Sequence, residues 1–175
     1  MRYVVMERGF KPPINEQDFQ AMAADLADCA RIYRAHWQES FLARDGSSLT
    51  CCFKAPDTES IRMMSRGDVA QSKVIWAGTV CTAEPPGPAN VLVERCFGEP
   101  VTLESVQAIE DAADWCLQQH KVTFLRTYFS TDQKRMICLY RAPDAEAVRQ
   151  AQRQANMPVE RIWACQNFTS DDLFA

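Results

Sequence analysis

Cys116 and His120, four residues apart, form the sharpest local pairing of metal-capable side chains in the chain. On a helix that spacing puts both on one face, and a thiolate with an imidazole suits a soft or borderline transition metal. Against this, Cys116 falls on the apolar stripe of its helix, where a thiol is ordinarily a small buried hydrophobe. Glu94 and His36 complete the set of candidate metal ligands. His36 stands beside Trp37 at the start of a strand, a position that equally suits a surface histidine. Glu7 and Glu94 occupy matching places in two similar segments. Such carboxylates can bind a cation, or act as acid and base if burial and like charge raise one pKa. The structural alternative is that each pairs with an arginine such as Arg8, Arg95 or Arg126. Cys51 and Cys138 match too, each in mid-strand, where an inert thiol is the rule because a reactive one needs an electropositive, accessible setting.

The elements that must position these residues come in duplicate. Pro56 and Pro143, Asp57 and Asp144, and Trp76 and Trp163 are each separated by the same 87 positions. Residues 3–8 alternate as a strand, Val4 and Met6 against Val5 and Glu7, and Val91 and Val93 repeat the pattern. Asn15 is the expected N-cap of a helix whose apolar stripe is Phe19, Met22, Leu26, Cys29 and Tyr33. In the second copy Thr102 caps, and Val106, Ile109, Ala113, Cys116 and His120 form the stripe. Strands over 36–43 and 48–54 turn at Asp45-Gly46, and their counterparts turn at Asp132-Gln133. Pro56-Asp57 and Pro143-Asp144 each end a strand and open a short helix, closing near Gly67 and Asn156. Final strands are predicted over 74–80 and 161–165. Each copy is therefore strand, helix, strand, strand, helix, strand, the split βαβ pattern of a ferredoxin-like fold.

The predicted organisation is a first repeat over 1–81, a Pro-rich connector over 82–89, a second repeat over 90–168 and a tail over 169–175. The strand Met136-Ile137-Cys138-Leu139-Tyr140 is apolar on both faces, although a ferredoxin-like sheet covers only one with its own helices. The class is thus α+β, with tandem ferredoxin-like βαββαβ repeats packed as a pseudo-dimer resembling a dimeric α/β-barrel; a homodimer whose sheets meet across chains is the alternative. Trp76, Trp163, Phe41 and Tyr128 are expected to line the apolar interior.

Apolar content of 47% and charged content of 24% describe a folded globular chain. A net charge of -4 argues against sequence-independent nucleic-acid binding. Neither a signal peptide nor a membrane span is expected in MRYVVMERGF, so the eight cysteines are read as reduced and the compartment as cytoplasmic. No Gly-rich phosphate loop, nucleophile elbow or kinase signature occurs in the sequence.

The sequence resembles the DUF4242 family of short ferredoxin-like proteins, here present twice. The resemblance rests on Val91, Glu94, Arg95 and Phe97, on Ser130-Thr131-Asp132 before Cys138-Leu139-Tyr140, on Ala142-Pro143-Asp144-Ala145-Glu146-Ala147-Val148-Arg149, and on Arg161-Ile162-Trp163. The first copy matches through Glu7-Arg8, Phe10, Cys51, Ala55-Pro56-Asp57, Glu59, Arg62 and Trp76. The resemblance implies a dimeric ferredoxin-like barrel and, from a relative described as nickel-binding through nitrogen and sulfur ligands, nickel as a cofactor. Three functions follow as expectations. The first is a binding protein holding a metal ion or small molecule between the repeats; the second is a small barrel enzyme using Glu7 and Glu94 on an organic substrate; the third is a structural or partner-binding module.

Overall fold

Side chains at the element ends set the boundaries in the computed structural model, which describes residues 1–83 and 87–169. The Pro85-Pro86 part of the connector and residues 170–175 of the tail lie outside the described residues. In the first copy β1 (Arg2–Gly9) leads to α1 (Glu16–Ile32), β2 (His36–Ala43), β3 (Ser48–Ala55), α2 (Thr58–Met64) and β4 (Ser72–Thr82). Asn15 accepts from the Asp18 amide at 2.9 Å while Asp18 accepts from the Asn15 amide at 2.9 Å, so two amides that α1 leaves free are satisfied reciprocally. Asp57 caps α2 by accepting from the Ser60 amide at 2.8 Å. The turn between β2 and β3 needs Gly46, which sits at φ +72° where a Cβ would lie 2.0 Å from the Ile14 carbonyl oxygen.

The second copy contains β5 (Val91–Cys96), α3 (Leu103–Ala112), α4 (Asp114–Gln119), β6 (Thr123–Ser130), β7 (Arg135–Arg141), α5 (Ala145–Gln154) and β8 (Arg161–Thr169). Thr102 and Asp144 cap α3 and α5 at the positions matching Asn15 and Asp57. Gln133 takes the place of Gly46 and adopts φ +62°.

The chain divides into two units, Met1–Gly78 with Gln166–Ala175, and Thr79–Cys165. In the first, β1 pairs antiparallel with β3 and β4, and β3 with β2, the ferredoxin-like order β4-β1-β3-β2. In the second, β5 pairs with β7 and β8, and β7 with β6, repeating it. The fold class read from the sequence is therefore that of the structure: α+β, with tandem ferredoxin-like repeats. Helix-facing strand residues build one core per unit, around Val4, Met6, Leu49 and Phe53 in one and Val91, Val93, Cys138 and Tyr140 in the other. The opposite faces are buried as well, through Val5, Phe41 and Cys52, and through Leu92, Ile137 and Leu139.

Three local departures from the sequence reading have physical causes. The second copy's first helix breaks at Ala113, where the Cys116 amide bonds back only three residues, to the Ala113 carbonyl, at 2.8 Å. Ile109 is 44% exposed rather than on the core, because Glu110 turns inward instead, to 3.9 Å from Arg95. The last strand runs to Thr169 rather than Cys165, and its end is held in the first unit by Phe168, whose ring lies 4.7 Å from that of Phe19.

Candidate functional site

Alternation along β1 places Arg8 on the same side as Val4 and Met6, facing the helices, and its side chain is only 5% exposed. A guanidinium taken out of water must find partners. Arg8 Nη1 meets Asp68 Oδ2 at 3.2 Å, and Nη2 donates to Cys51 Sγ at 3.2 Å, whereas Nε has no hydrogen-bond partner among the described residues. Asp68 also binds Lys73 Nζ at 3.1 Å, so two cations share one buried carboxylate. Cys51 lies opposite Ser40 across the β2-β3 pair, and the Ser40 hydroxyl donates to Cys51 Sγ at 2.8 Å.

The wall beside this cluster depends on a β-bulge. Simple alternation would send Trp37 and Ser40, three apart, to opposite faces. The register of β2 on β3 shifts between Trp37 and Glu39, and the surplus residue turns Trp37 back to the helix side, where its Nε1 donates to Ser40 Oγ at 2.8 Å. Overhead, α1 presents Phe19, Met22 and Leu26 but also the small Ala23, Ala27 and Ala30. A cavity of about 880 Å³ lies between helix and sheet, with Arg8, Ser40 and Cys51 as its polar floor and Arg34 and His36 at its edge.

The second unit closes the same place with its own side chains. Arg95 corresponds to Arg8, but Phe53 is replaced by Tyr140, Ala23 by Glu110 and Ser65 by Gln152. Arg95 Nη2 donates to Tyr140 Oη at 3.2 Å and to Gln152 Oε1 at 2.6 Å, and Nη1 donates to the Pro158 carbonyl at 2.7 Å. Burial pushes the Tyr140 phenol well above its ordinary pKa, raises the Cys138 thiol, and raises Glu110 against the pull of Arg95. Burial works against the Arg95 charge, but Cys138, Tyr140 and Glu110 outweigh it and the guanidinium pKa is raised. Tyr140 and Cys138 are thus neutral at pH 7, and this cluster is a packed network rather than a reactive one. Cys51, for its part, has a guanidinium and a hydroxyl as partners, neither of which is a general base.

Cys116 is buried at 1% exposure, while His120, at the end of α4, is half-buried with its Nε2 3.0 Å from Gln154 Oε1. His36 is exposed at the start of β2, at the edge of the cavity. Glu94 accepts from Trp163 Nε1 at 2.9 Å and pairs with Arg161 Nη2 at 3.3 Å. Glu7 accepts from Trp76 Nε1 in the matching geometry. Among the described residues no three His, Cys, Asp or Glu side chains gather in a group that could hold a metal ion. Glu94 thus pairs with an arginine, but with Arg161 rather than its strand neighbour Arg95, because neighbours along a strand face opposite sides. The sequence reading missed Arg8 as a floor residue, although its two-residue spacing from Val4 and Met6 signalled it. Nor does the cavity involve both repeats: its lining residues all belong to the first unit.

A family model described as "Nickel responsive protein SCO4226-like" matches residues 3–76 and again 92–164. The structure of TA0507, described as a candidate chlorite dismutase, superposes with a TM-score of 0.53 over 98% of this chain and 96% of that one, at 11% identity. That likeness shows the fold and nothing of the chemistry. SCO4226 from Streptomyces coelicolor A3(2) is 19% identical over 42% of this chain and 91% of its own, with a TM-score of 0.39. No curated protein matches the chain. No helix among the described residues is long and apolar enough to cross a membrane.

Proposed function

The chain belongs to the family of SCO4226-like nickel responsive proteins, and from that premise we propose that its first repeat is a binding site for a small, largely apolar organic molecule, held between α1 and the sheet. One observation carries this reading: the cavity of about 880 Å³, walled by aliphatic and aromatic side chains around a few convergent polar groups. Small-molecule sites typically enclose about 300–1,000 Å³ with that kind of lining. The corresponding side chains of the second repeat are consumed by one another, which supports a division of labour between a packed copy and a receptive one.

The neutral fluorescent probe N-phenyl-1-naphthylamine tests the proposal. It is expected to bind the full chain at one site, and binding is expected to be lost in the double variant Ala23→Glu/Phe53→Tyr, which carries the second repeat's side chains into the first. Absence of binding to the wild-type chain, or binding unchanged in the folded double variant, overturns it.

A second reading, favoured by the family description, is nickel binding at Cys116 and His120. Two donors leave a nickel coordination sphere incomplete, so this reading needs ligands beyond the pair. Metal analysis of untagged protein loaded with nickel decides it: stoichiometric nickel lost in Cys116→Ala and His120→Ala supports the pair, and nickel indifferent to both substitutions removes it.

A further inference from the structure

Resting on the reading of the first repeat as a ligand site, we infer that the bound molecule is an amphipathic acid, its apolar body under α1 and its acidic oxygen head against Arg8. Two equivalent arginines set the repeats apart. Arg8 and Arg95 sit at equivalent register positions, opposite Leu49 and Met136. Both are buried, and in each Nε has no hydrogen-bond partner among the described residues. Nη1 meets Asp68 in Arg8 and the Pro158 carbonyl in Arg95. At Nη2, Arg95 donates to two oxygens, those of Tyr140 and Gln152, whereas among the described residues Arg8 donates there to the Cys51 sulfur alone, a weak acceptor.

Phe53 and Ser65, at the places of Tyr140 and Gln152, supply no oxygen to Arg8. Ser65 is buried with its Oγ 3.2 Å from Lys73 Nζ, but Phe53 and Arg8 both line the cavity, so the place of the absent phenol oxygen adjoins it. A ligand oxygen entering it meets a donor whose desolvation is already complete, and a guanidinium fork suits a carboxylate better than a neutral hydroxyl. The charge count agrees. Arg8 and Lys73 share Asp68, which leaves the buried cluster one positive charge in excess. Glu110, the carboxylate that approaches Arg95, is replaced by Ala23 here. An anionic head would complete the balance. Arg34 stands at the edge of the same cavity, where its charge favours entry of an anion.

Octanoate and 1-octanol share a hydrocarbon body and differ only in the head, so their competition against bound N-phenyl-1-naphthylamine isolates the assignment. Octanoate is expected to displace the probe from the wild-type chain at least about tenfold more effectively than octanol, as charge-assisted hydrogen bonding implies. Arg8→Met is expected to bring octanoate down to the level of octanol, and Arg95→Met to leave the preference intact. Equal displacement by the two ligands, or a preference for octanoate that survives Arg8→Met, overturns the inference while the ligand site stands. The wild-type comparison decides the matter even if Arg8→Met fails to fold. Failure of the probe itself to bind would instead sink the ligand site.

Discussion

Exchange of one hydroxyl between the repeats tests the account of the cavity directly. Tyr140 Oη, on a side chain only 1% exposed, lies 3.2 Å from Arg95 Nη2 and 3.2 Å from Gln152 Nε2. Tyr140→Phe removes one partner from each of two buried donors. Stranding a buried polar group costs about 1–3 kcal/mol, and for a chain of this length each kcal/mol moves the melting midpoint by roughly 2–4 °C. Phe53→Tyr is the mirror experiment. Phe53 faces Val4 as Tyr140 faces Val91, so the added hydroxyl points toward Arg8 as Tyr140 does toward Arg95. It supplies the oxygen Arg8 lacks and is expected to stabilise the ligand-free chain by about 1 kcal/mol, the net value of a typical intramolecular hydrogen bond. Urea denaturation followed by circular dichroism reads both changes, and probe displacement by octanoate reads the consequence for binding. The expected pattern is opposite: a less stable protein with undisturbed octanoate binding for Tyr140→Phe, and a more stable one with weakened binding for Phe53→Tyr. A Phe53→Tyr protein that loses stability, or that binds octanoate as the wild type does, refutes the equivalence on which the reasoning rests.

Three further outcomes are expected. Glu110 has its pKa raised in the fold, chiefly by burial, so the folded chain holds that proton more tightly than the unfolded one; its stabilising contribution is full below the ordinary value of 4.5 and is lost as pH rises through the folded value. Glu110→Gln should therefore gain on the wild type in melting temperature as pH increases from 4 to 8, and a difference that is flat or falls with pH would contradict the assignment. Glu7 does not line the first repeat's cavity, so Glu7→Gln should leave octanoate displacement unchanged; a loss there would return the carboxylates to the functional centre. Asp144→Ala removes the 2.7 Å bond to the Ala147 amide and should cost about 1 kcal/mol in denaturation midpoint analysis, as N-caps do, with ligand binding unaffected.

The repeat and its caps were legible in the sequence because both rest on local rules. Asn15, Asp57, Thr102 and Asp144 satisfy free helix amides through their own side chains, and Asp45-Gly46 declares its turn through the backbone freedom of glycine. The break at Ala113 carried no such mark, since neither Gly nor Pro stands there and the matching Leu26 continues its helix. The cavity was hidden for a different reason. Its existence depends on differences between the copies scattered far apart in sequence, Phe53 for Tyr140 and Ala23 for Glu110, and on a bulge at Gln38 that no turn residue announces. Arg8 was visible as a cation on an apolar face, yet adjacency to Glu7 invited a pairing that strand geometry forbids. Residue type and helical spacing single out Cys116 and His120, and those rules say nothing about whether a third donor arrives from elsewhere in the fold.

The displaced register in β2 carries a lesson about tolerance to change. Trp37 and Ser40 look the same way only because the strand contains one residue more than its partner requires, so replacing Gln38 by another residue should be forgiven, whereas deleting it would turn the strand's opening residues inside out. Leu125, unlike Gln38 in chemistry, occupies the same extra position in the other copy. What the two halves have in common there is a count of residues, and arithmetic rather than composition keeps the tryptophan indoors.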